Sequence, residues 1–301
     1  MNAQQKNIRA GLADRNAVLL AHYYVRPEIQ DIADVLGDSL ALAQAAARSD
    51  ARVIVFAGVH FMAQSAAILC PDKTILLPRP DAGCPLADMA DAASIQAMRK
   101  KEPDAVFVTY INSTAEVKAL SDICCTSSNA ARVLSSIPEW KKVILLPDGN
   151  LARHMESVTG RTVLPWKGCC PIHDALTPQH VRGLKARHPN APFAAHPECR
   201  PDVLALADFV GSTSAIIGFA GKTDATTILI GTEEGVLTEL QKRHPEKTFV
   251  LASPELFCAD MKKITLGDIE KSLNTLEPAV TVPEDVSRAA RAALDRMLAI
   301  S

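Results

Sequence analysis

The apolar positions of this chain fall into short runs that recur on one period. The runs opening VLLAH at Val18, VFVTY at Val106 and PFAAH at Pro192 are apolar on both faces, as in a buried parallel strand. A stretch of helical character follows each and closes on Asp-x-x-x-x-Ser/Thr. A second apolar run (VIVFAG, VILLPDG, TILIGT) then turns through glycine into another helix, and a third (TILLPRPDAG, TVLPWKG, TFVLASPELF) leads to a cysteine. The same residue classes return at intervals of 88 and 86 residues: His22, Tyr110 and His196; Ser39, Ser127 and Thr213; Asp34, Asp122 and Asp208. Unrelated classes on one beat indicate an internal triplication. Alternating strands and helices predict an α/β protein of three homologous α/β/α sandwich domains, with parallel sheets around a pseudo-threefold axis. The expected boundaries are 1–103 for the first repeat with an N-terminal helix, 104–188 for the second, 189–264 for the third, and 265–301 for a helical tail packed on the body. In that tail Thr265 and Asp268 resemble a capping box. A last helix, Pro283 to Ala299, carries an apolar face of Val286, Ala290, Leu294, Met297 and Leu298.

Polar residues stand where the repeats predict strand ends. Each first strand runs into a pair at i and i+2: His22/Tyr24, Tyr110/Asn112, His196/Glu198. On an extended chain that spacing puts both side chains on one side. Ser39, Ser127 and Thr213 stand where an N-cap would open the next helix. Ligands of such sheets bind beyond the carboxyl ends of the strands, so threefold packing brings these groups to one central site. Asp34, Asp122 and Asp208 precede the caps and read as structural acceptors for neighbouring backbone N–H groups. Of eight cysteines, Cys84, Cys170 and Cys258 keep the beat at 86 and 88 residues. Cys70, Cys124, Cys125, Cys169 and Cys199 do not, and read as core or near-site residues. Between neighbours Cys169 and Cys170, both the spacing and the C-x-x-H pattern to His173 select Cys170.

Composition narrows the chemistry. Apolar residues make up 48% and charged residues 22%, an ordinary globular balance. A net charge of −2, no basic run and few aromatics argue against a nucleic-acid partner. The opening MNAQQKNIRAGLADRN lacks a signal-type apolar core and no apolar run reaches membrane-spanning length, so a cytoplasmic location and no membrane partner are expected. There the cysteines suit metal binding or catalysis better than disulfides. Three converging thiolates leave two main metal readings. Structural zinc wants four protein ligands. A cubane iron–sulfur cluster on three thiolates keeps one iron free of protein, able to act as a Lewis acid on a bound carboxylate or hydroxyl. Helix N-termini at the site favour an anionic guest, a dicarboxylate or a phosphorylated metabolite.

The motifs AHYY, DIADVLGDS, FAGVHFMAQSA, GCPLADM, VTYINSTAEVKA, CTSSNA, WKGCCPIH, HPEC, GSTS, IGTEEG and CADMKKIT, covering about residues 18 to 270, closely resemble the quinolinate synthase family, the A protein of de novo NAD biosynthesis. The resemblance implies one 4Fe–4S cluster held by Cys84, Cys170 and Cys258. It implies condensation of iminoaspartate with dihydroxyacetone phosphate to quinolinate, phosphate and water, with the open iron as Lewis acid. It places His22, Ser39, Tyr110, Asn112, Ser127, His196, Glu198 and Thr213 around the substrates. Tyr24, Tyr110 and Glu198 become the candidates for proton transfer, and His173 for orienting an intermediate. An L-aspartate oxidase or aspartate dehydrogenase is implied as the source of the labile iminoaspartate. Two positions depart from the family pattern: Gln64 replaces a typical Glu, and Asp148-Gly149-Asn150 replaces Asp-Gln-Asn. No second cysteine lies within four residues of Cys258, so the redox switch proposed for some relatives is not expected. The weighed alternatives are a diphthamide-type radical enzyme of the same plan, and a metal or redox sensor.

Overall fold

The computed structural model describes residues 1–300. Among them are three four-stranded, all-parallel sheets. The first holds β1 (Ala17–His22), β2 (Val35–Gly37), β3 (Val53–Ala57) and β4 (Thr74–Leu76). The second holds β5 (Val106–Tyr110), β6 (Ile123–Cys125), β7 (Val143–Leu146) and β8 (Val163–Pro165). The third holds β9 (Phe193–Ala195), β10 (Phe209–Val210), β11 (Thr227–Gly231) and β12 (Thr248–Leu251). Each sheet places its second strand at the edge, then its first, third and fourth: β2-β1-β3-β4, β6-β5-β7-β8 and β10-β9-β11-β12. The expected three α/β/α units with parallel sheets are therefore present. All residues of β3 and β7 are buried, as helix-covered central strands require.

The sequence reading lacked one strand per unit. The segment before Ser39, Ser127 and Thr213 is a short helix (Pro27–Gln30, Ala115–Ala119, Pro201–Leu204) followed by an edge strand, not helix throughout. β2, β6 and β10 are only two or three residues long, too short to show a period. The repeated aspartates explain how these edges are held. Asp34 accepts the Leu19 N–H at 2.8 Å, Asp122 that of Phe107 at 2.7 Å, and Asp208 that of Phe193 at 2.8 Å. Each aspartate begins the turn into its edge strand and bonds the first strand of its own sheet. Arg9, Arg99 and Lys185 pair with them on the outside, but these ion pairs are solvent-exposed and contribute little.

The tail forms two helices that pack on the rest of the chain. Thr265 and Asp268 form a reciprocal capping box on helix Leu266–Thr275, which packs on the N-terminal helix Ala3–Asp14. Helix Glu284–Ala299 lies across helices His60–Leu69 and Ala115–Ala119 and strand β6, joining the first unit to the second. It buries Ala290, Ala293, Leu294 and Met297 there, about 1.5–3 kcal/mol for each of the two large side chains. Among the described residues no helix is long and apolar enough to cross a membrane.

Candidate active site

The carboxyl ends of the three sheets face one cavity of about 200 Å³. β1 ends on His22 and β5 on Tyr110, while His196 directly follows β9. All thirteen site residues expected from sequence line this cavity: His22, Tyr24, Ser39, Cys84, Tyr110, Asn112, Ser127, Cys170, His173, His196, Glu198, Thr213 and Cys258. Cys169, the rejected neighbour, is not among them; its N–H faces Met89 Sδ at 3.3 Å.

Two local geometries differ from expectation. The i and i+2 pairs do not sit on extended chain. In the first and third units the strand ends at or before the histidine, and the chain turns. His22 Nδ1 accepts the Tyr24 N–H at 3.1 Å, and His196 Nδ1 accepts the Glu198 N–H at 3.4 Å. These turns still aim both members into the cavity. They also fix the neutral tautomer, because an accepting Nδ1 leaves the proton on Nε2. The second correction concerns the caps. Asp38 caps helix Ser39–Arg48 by accepting the Ala41 N–H at 3.0 Å, and Ser212 caps helix Thr213–Lys222 by accepting that of Ala215 at 3.3 Å. In the second unit a turn closed by Thr126 N–H on Asn129 Oδ1 (2.7 Å) precedes helix Ala130–Ser135. Ser39 and Thr213 thus lie one residue beyond the cap, and Ser127 in the turn before it. Two good capping residues stand in sequence at Asp38-Ser39 and Ser212-Thr213, and the first of each pair caps, leaving the second to face the cavity.

Contacts between units tie the polar groups into one chain. Tyr24 Oη lies 2.7 Å from Thr213 Oγ1 and 2.6 Å from Thr232 Oγ1. Thr232 Oγ1 lies 3.0 Å from His173 Nε2. His173 Nδ1 lies 2.7 Å from Glu198 Oε2, and Glu198 Oε1 accepts from Tyr110 Oη at 2.7 Å. The His173 ring stacks on His196 with centroids 4.7 Å apart. Every member of this chain is nine-tenths or more buried.

Burial sets the protonation of these groups. It pushes His22 down to about 4 and His196 down to about 3, so both are neutral near pH 7. Burial raises Tyr24 and Tyr110 well above the usual phenol value, with the Glu198 charge adding to the rise at Tyr110. Burial also opposes ionisation of Glu198, but His196, His173 and the Tyr110 hydroxyl outweigh it and hold the carboxyl down to about 2.

The number and placement of the cysteines suit an iron–sulfur cluster. All three are free thiols on loops beyond β4, β8 and β12, one from each unit, around one cavity. Burial raises Cys84 to about 12 and lifts Cys170 and Cys258 above their ordinary value, so only a bound cation would make all three thiolates near neutral pH. A second donor set, Cys170 Sγ, His173 and Glu198, lies within 4.8 Å and could hold a single ion. That ion would break the His173–Glu198 contact and leave Cys84 and Cys258 unused, whereas a three-thiolate cluster uses all three cysteines and leaves the chain intact. The residues fit the cluster.

Sequence reasoning passed over Asp38, Thr232, Glu233 and Lys262. Thr232 and Glu233 are fully or almost fully buried just beyond β11, inside the quoted IGTEEG run. Polar residues immediately after a buried strand were the available signal. Of the two departures from the family pattern, Gln64 Oε1 accepts the Ala115 N–H at 3.3 Å, a bond a carboxylate would also accept. Gly149 lies against the Cys170 loop, where a Cβ would sit 2.5 Å from Trp166 O.

A family described as "Quinolinate synthetase A protein" matches residues 6–299. The chain is 52% identical over 293 residues to the quinolinate synthase of Geotalea uraniireducens, covering 97% of this chain and 96% of that one. It is 53% identical over 300 residues to that of Pelobacter propionicus, covering 99% and 98%. An archaeal relative, the quinolinate synthase of Methanosarcina barkeri, is 52% identical over 286 residues, covering 95% and 94%.

Proposed function

We propose that this chain, which belongs to the quinolinate synthetase A protein family, condenses iminoaspartate with dihydroxyacetone phosphate to give quinolinate, phosphate and water. The observation that carries the reading is the convergence of three cysteines and an unbroken chain of buried acid–base groups on one cavity. Cys84, Cys170 and Cys258 are the residues that would hold a single 4Fe–4S cluster. When bound, the cluster supplies a Lewis-acidic iron without a protein ligand, suited to polarising a carboxylate or hydroxyl.

The remaining chemistry belongs to the chain. Glu198, ionised between His173 and Tyr110, is the base for removing substrate protons. Tyr110 and Tyr24 hold their protons near neutral pH and are the donors for departing hydroxyl groups. Neutral His22 and His196 present Nε2–H to substrate oxygens without adding charge. Ser39 and Thr213, in the first turns of their helices, and Ser127 in its turn offer hydroxyls to the anionic groups of two charged substrates. Asn112 lines the same wall. His173, bonded on both nitrogens, is a fixed support for an intermediate rather than a mobile base.

Iminoaspartate hydrolyses in water, so a class of enzyme that oxidises L-aspartate, an oxidase or dehydrogenase, must supply it. We place this activity in the cytoplasm, consistent with eight free cysteines and no helix fit to span a membrane among the described residues. The reaction is tested by anaerobic reconstitution with iron and sulfide, followed by incubation with both substrates. Quinolinate should form only when both are present. A loaded cluster with no quinolinate would overturn the assigned reaction.

A further inference from the structure

Two of the cysteine loops are gripped in the same way by buried carboxylates that the assigned chemistry leaves unused. Asp148 Oδ2 accepts the main-chain N–H of Cys170 at 3.2 Å. Glu233 Oε1 accepts the main-chain N–H of Cys258 at 3.1 Å. Asp148 is 0% exposed and Glu233 1%, and each stands two residues beyond the central strand of its sheet, β7 or β11. The other carboxylate oxygen is also fixed. Asp148 Oδ1 accepts the Leu151 N–H at 2.8 Å and so caps helix Gly149–Thr159, while Glu233 Oε2 accepts the Gly235 N–H at 2.7 Å. Glu233 Oε1 further accepts from Lys262 Nζ at 2.6 Å, and that ammonium also donates to Tyr24 O. The loop of Cys258 is thereby linked to the turn that presents Tyr24.

The backbone around Asp148 is built for this grip. Gly149 N–H donates to Gly168 O at 2.7 Å. A Cβ at 149 would lie 2.5 Å from Trp166 O, and one at 168 would lie 2.4 Å from Pro147 O. Neither position accepts a side chain without backbone movement, so paired glycines let the Trp166–Cys170 loop lie flush against the strand end that carries Asp148. The first unit has Val59 two residues beyond β3 and lacks this carboxylate; there Asp260 reaches across from beyond Cys258 and accepts the Gly83 N–H at 3.2 Å, next to Cys84.

We infer that Asp148 and Glu233 are positioning residues for the cluster ligands, aiming the Cys170 and Cys258 thiolates by holding their own amide N–H groups. The inference rests on the cluster reading above. An amide held by a fixed acceptor cannot rotate away, so the Cα–Cβ bond of each ligand keeps one direction when the cavity is empty and when it is loaded. Groups that orient metal ligands in this way typically change metal retention about 10- to 100-fold when removed.

The test uses Asp148→Asn and Asp148→Ser in the full-length protein, reconstituted anaerobically with iron and sulfide. Both replacements keep a helix-capping oxygen for Leu151; Asn turns an NH2 group against the Cys170 N–H, and Ser is too short to reach it. Iron release to a chelator should accelerate about 10- to 100-fold in both variants, and the electron paramagnetic resonance spectrum of the reduced cluster should shift. The melting temperature of the metal-free protein should stay near that of wild type. Wild-type release rates and spectrum in either folded variant would overturn the positioning role. Wild-type protein that takes up no iron would overturn the cluster reading itself, so the two failures are distinguishable. If Asp148→Asn does not fold, the same measurements on Asp148→Ser decide the matter. If neither folds, Glu233→Gln decides it through Cys258, with the same expected and contradicting results.

Discussion

Tyr110 donates a 2.7 Å hydrogen bond to Glu198 across 88 residues of chain, joining the second unit to the third. Both side chains are more than nine-tenths buried, so the bond is made away from water and is correspondingly strong. The pair is repeat-equivalent only in part: Tyr110 holds the first position of its pair and Glu198 the second. Near-threefold packing lets different positions of one motif meet.

Tyr110→Phe removes the hydroxyl and keeps the ring. The expected result is a fall in kcat of about 10²–10⁴-fold with a small change in KM, the range for losing a positioned proton donor. Steady-state quinolinate formation by the loaded enzyme measures this, with iron content confirming that the cluster is retained. A KM effect alone would reduce Tyr110 to a binding group.

Thr232 joins Tyr24 to His173 from behind the cavity wall and is not itself one of its lining residues. Thr232→Val keeps the shape and breaks both links, leaving buried His173 Nε2 without its partner at about 1–3 kcal/mol, while Tyr24 keeps its bond to Thr213. Activity should drop about tenfold or more, and Thr232→Ser should restore most of it. Equal activity in the Val variant would show that the chain is not continuous in function.

The buried neutral His22 gives the metal-free protein an acid-sensitive stability. Its folded pKa, pushed down by burial to about 4, lies below the 6.5 of an exposed imidazole. Between those values the unfolded chain binds a proton that the folded one refuses, so stability is present above pH 6.5 and falls as pH drops toward 4. The shift corresponds to on the order of 3 kcal/mol. Urea unfolding at pH 7 and pH 4.5 should show a smaller loss for His22→Gln than for wild type. An equal loss would mean that His22 takes up its proton in the folded state.

Lys118 acts with the same sign in a higher pH window. Its side chain is fully buried, its ammonium donates to Ser113 O, and burial pushes it down to about 8. The folded chain releases this proton near pH 8 while the unfolded chain keeps it to about 10.5, so stability rises with pH across that window. Lys118→Met should lack this rise. The difference between wild type and variant, read from melting temperatures at pH 7.5 and pH 9.5, should move in favour of wild type at the higher pH.

Much of the site was legible because a triplicated sequence marks equivalent positions without reference to structure. All thirteen residues placed by period or resemblance reach the cavity wall. What was missed had physical reasons. The edge strands β2, β6 and β10 are too short to carry alternation. Asp148 and Glu233 are 85 residues apart, one off the beat, because β7 and β11 themselves end 85 residues apart. Thr232 has no polar counterpart in the other repeats, and its partners Tyr24 and His173 arrive from the other two units. Its importance is a property of packing between units, which no local pattern encodes.

The central claim, that Cys84, Cys170 and Cys258 jointly hold the catalytic cluster, is tested most directly at the adjacent pair Cys169-Cys170. Wild type, Cys169→Ala and Cys170→Ala are reconstituted anaerobically with iron and sulfide, then measured for iron content and quinolinate formation. Wild type and Cys169→Ala should bind four irons per chain, as a cubane requires, and form product. Cys170→Ala should lose the cluster and the activity together. Full iron content and turnover in Cys170→Ala, or their loss in Cys169→Ala, would contradict the account.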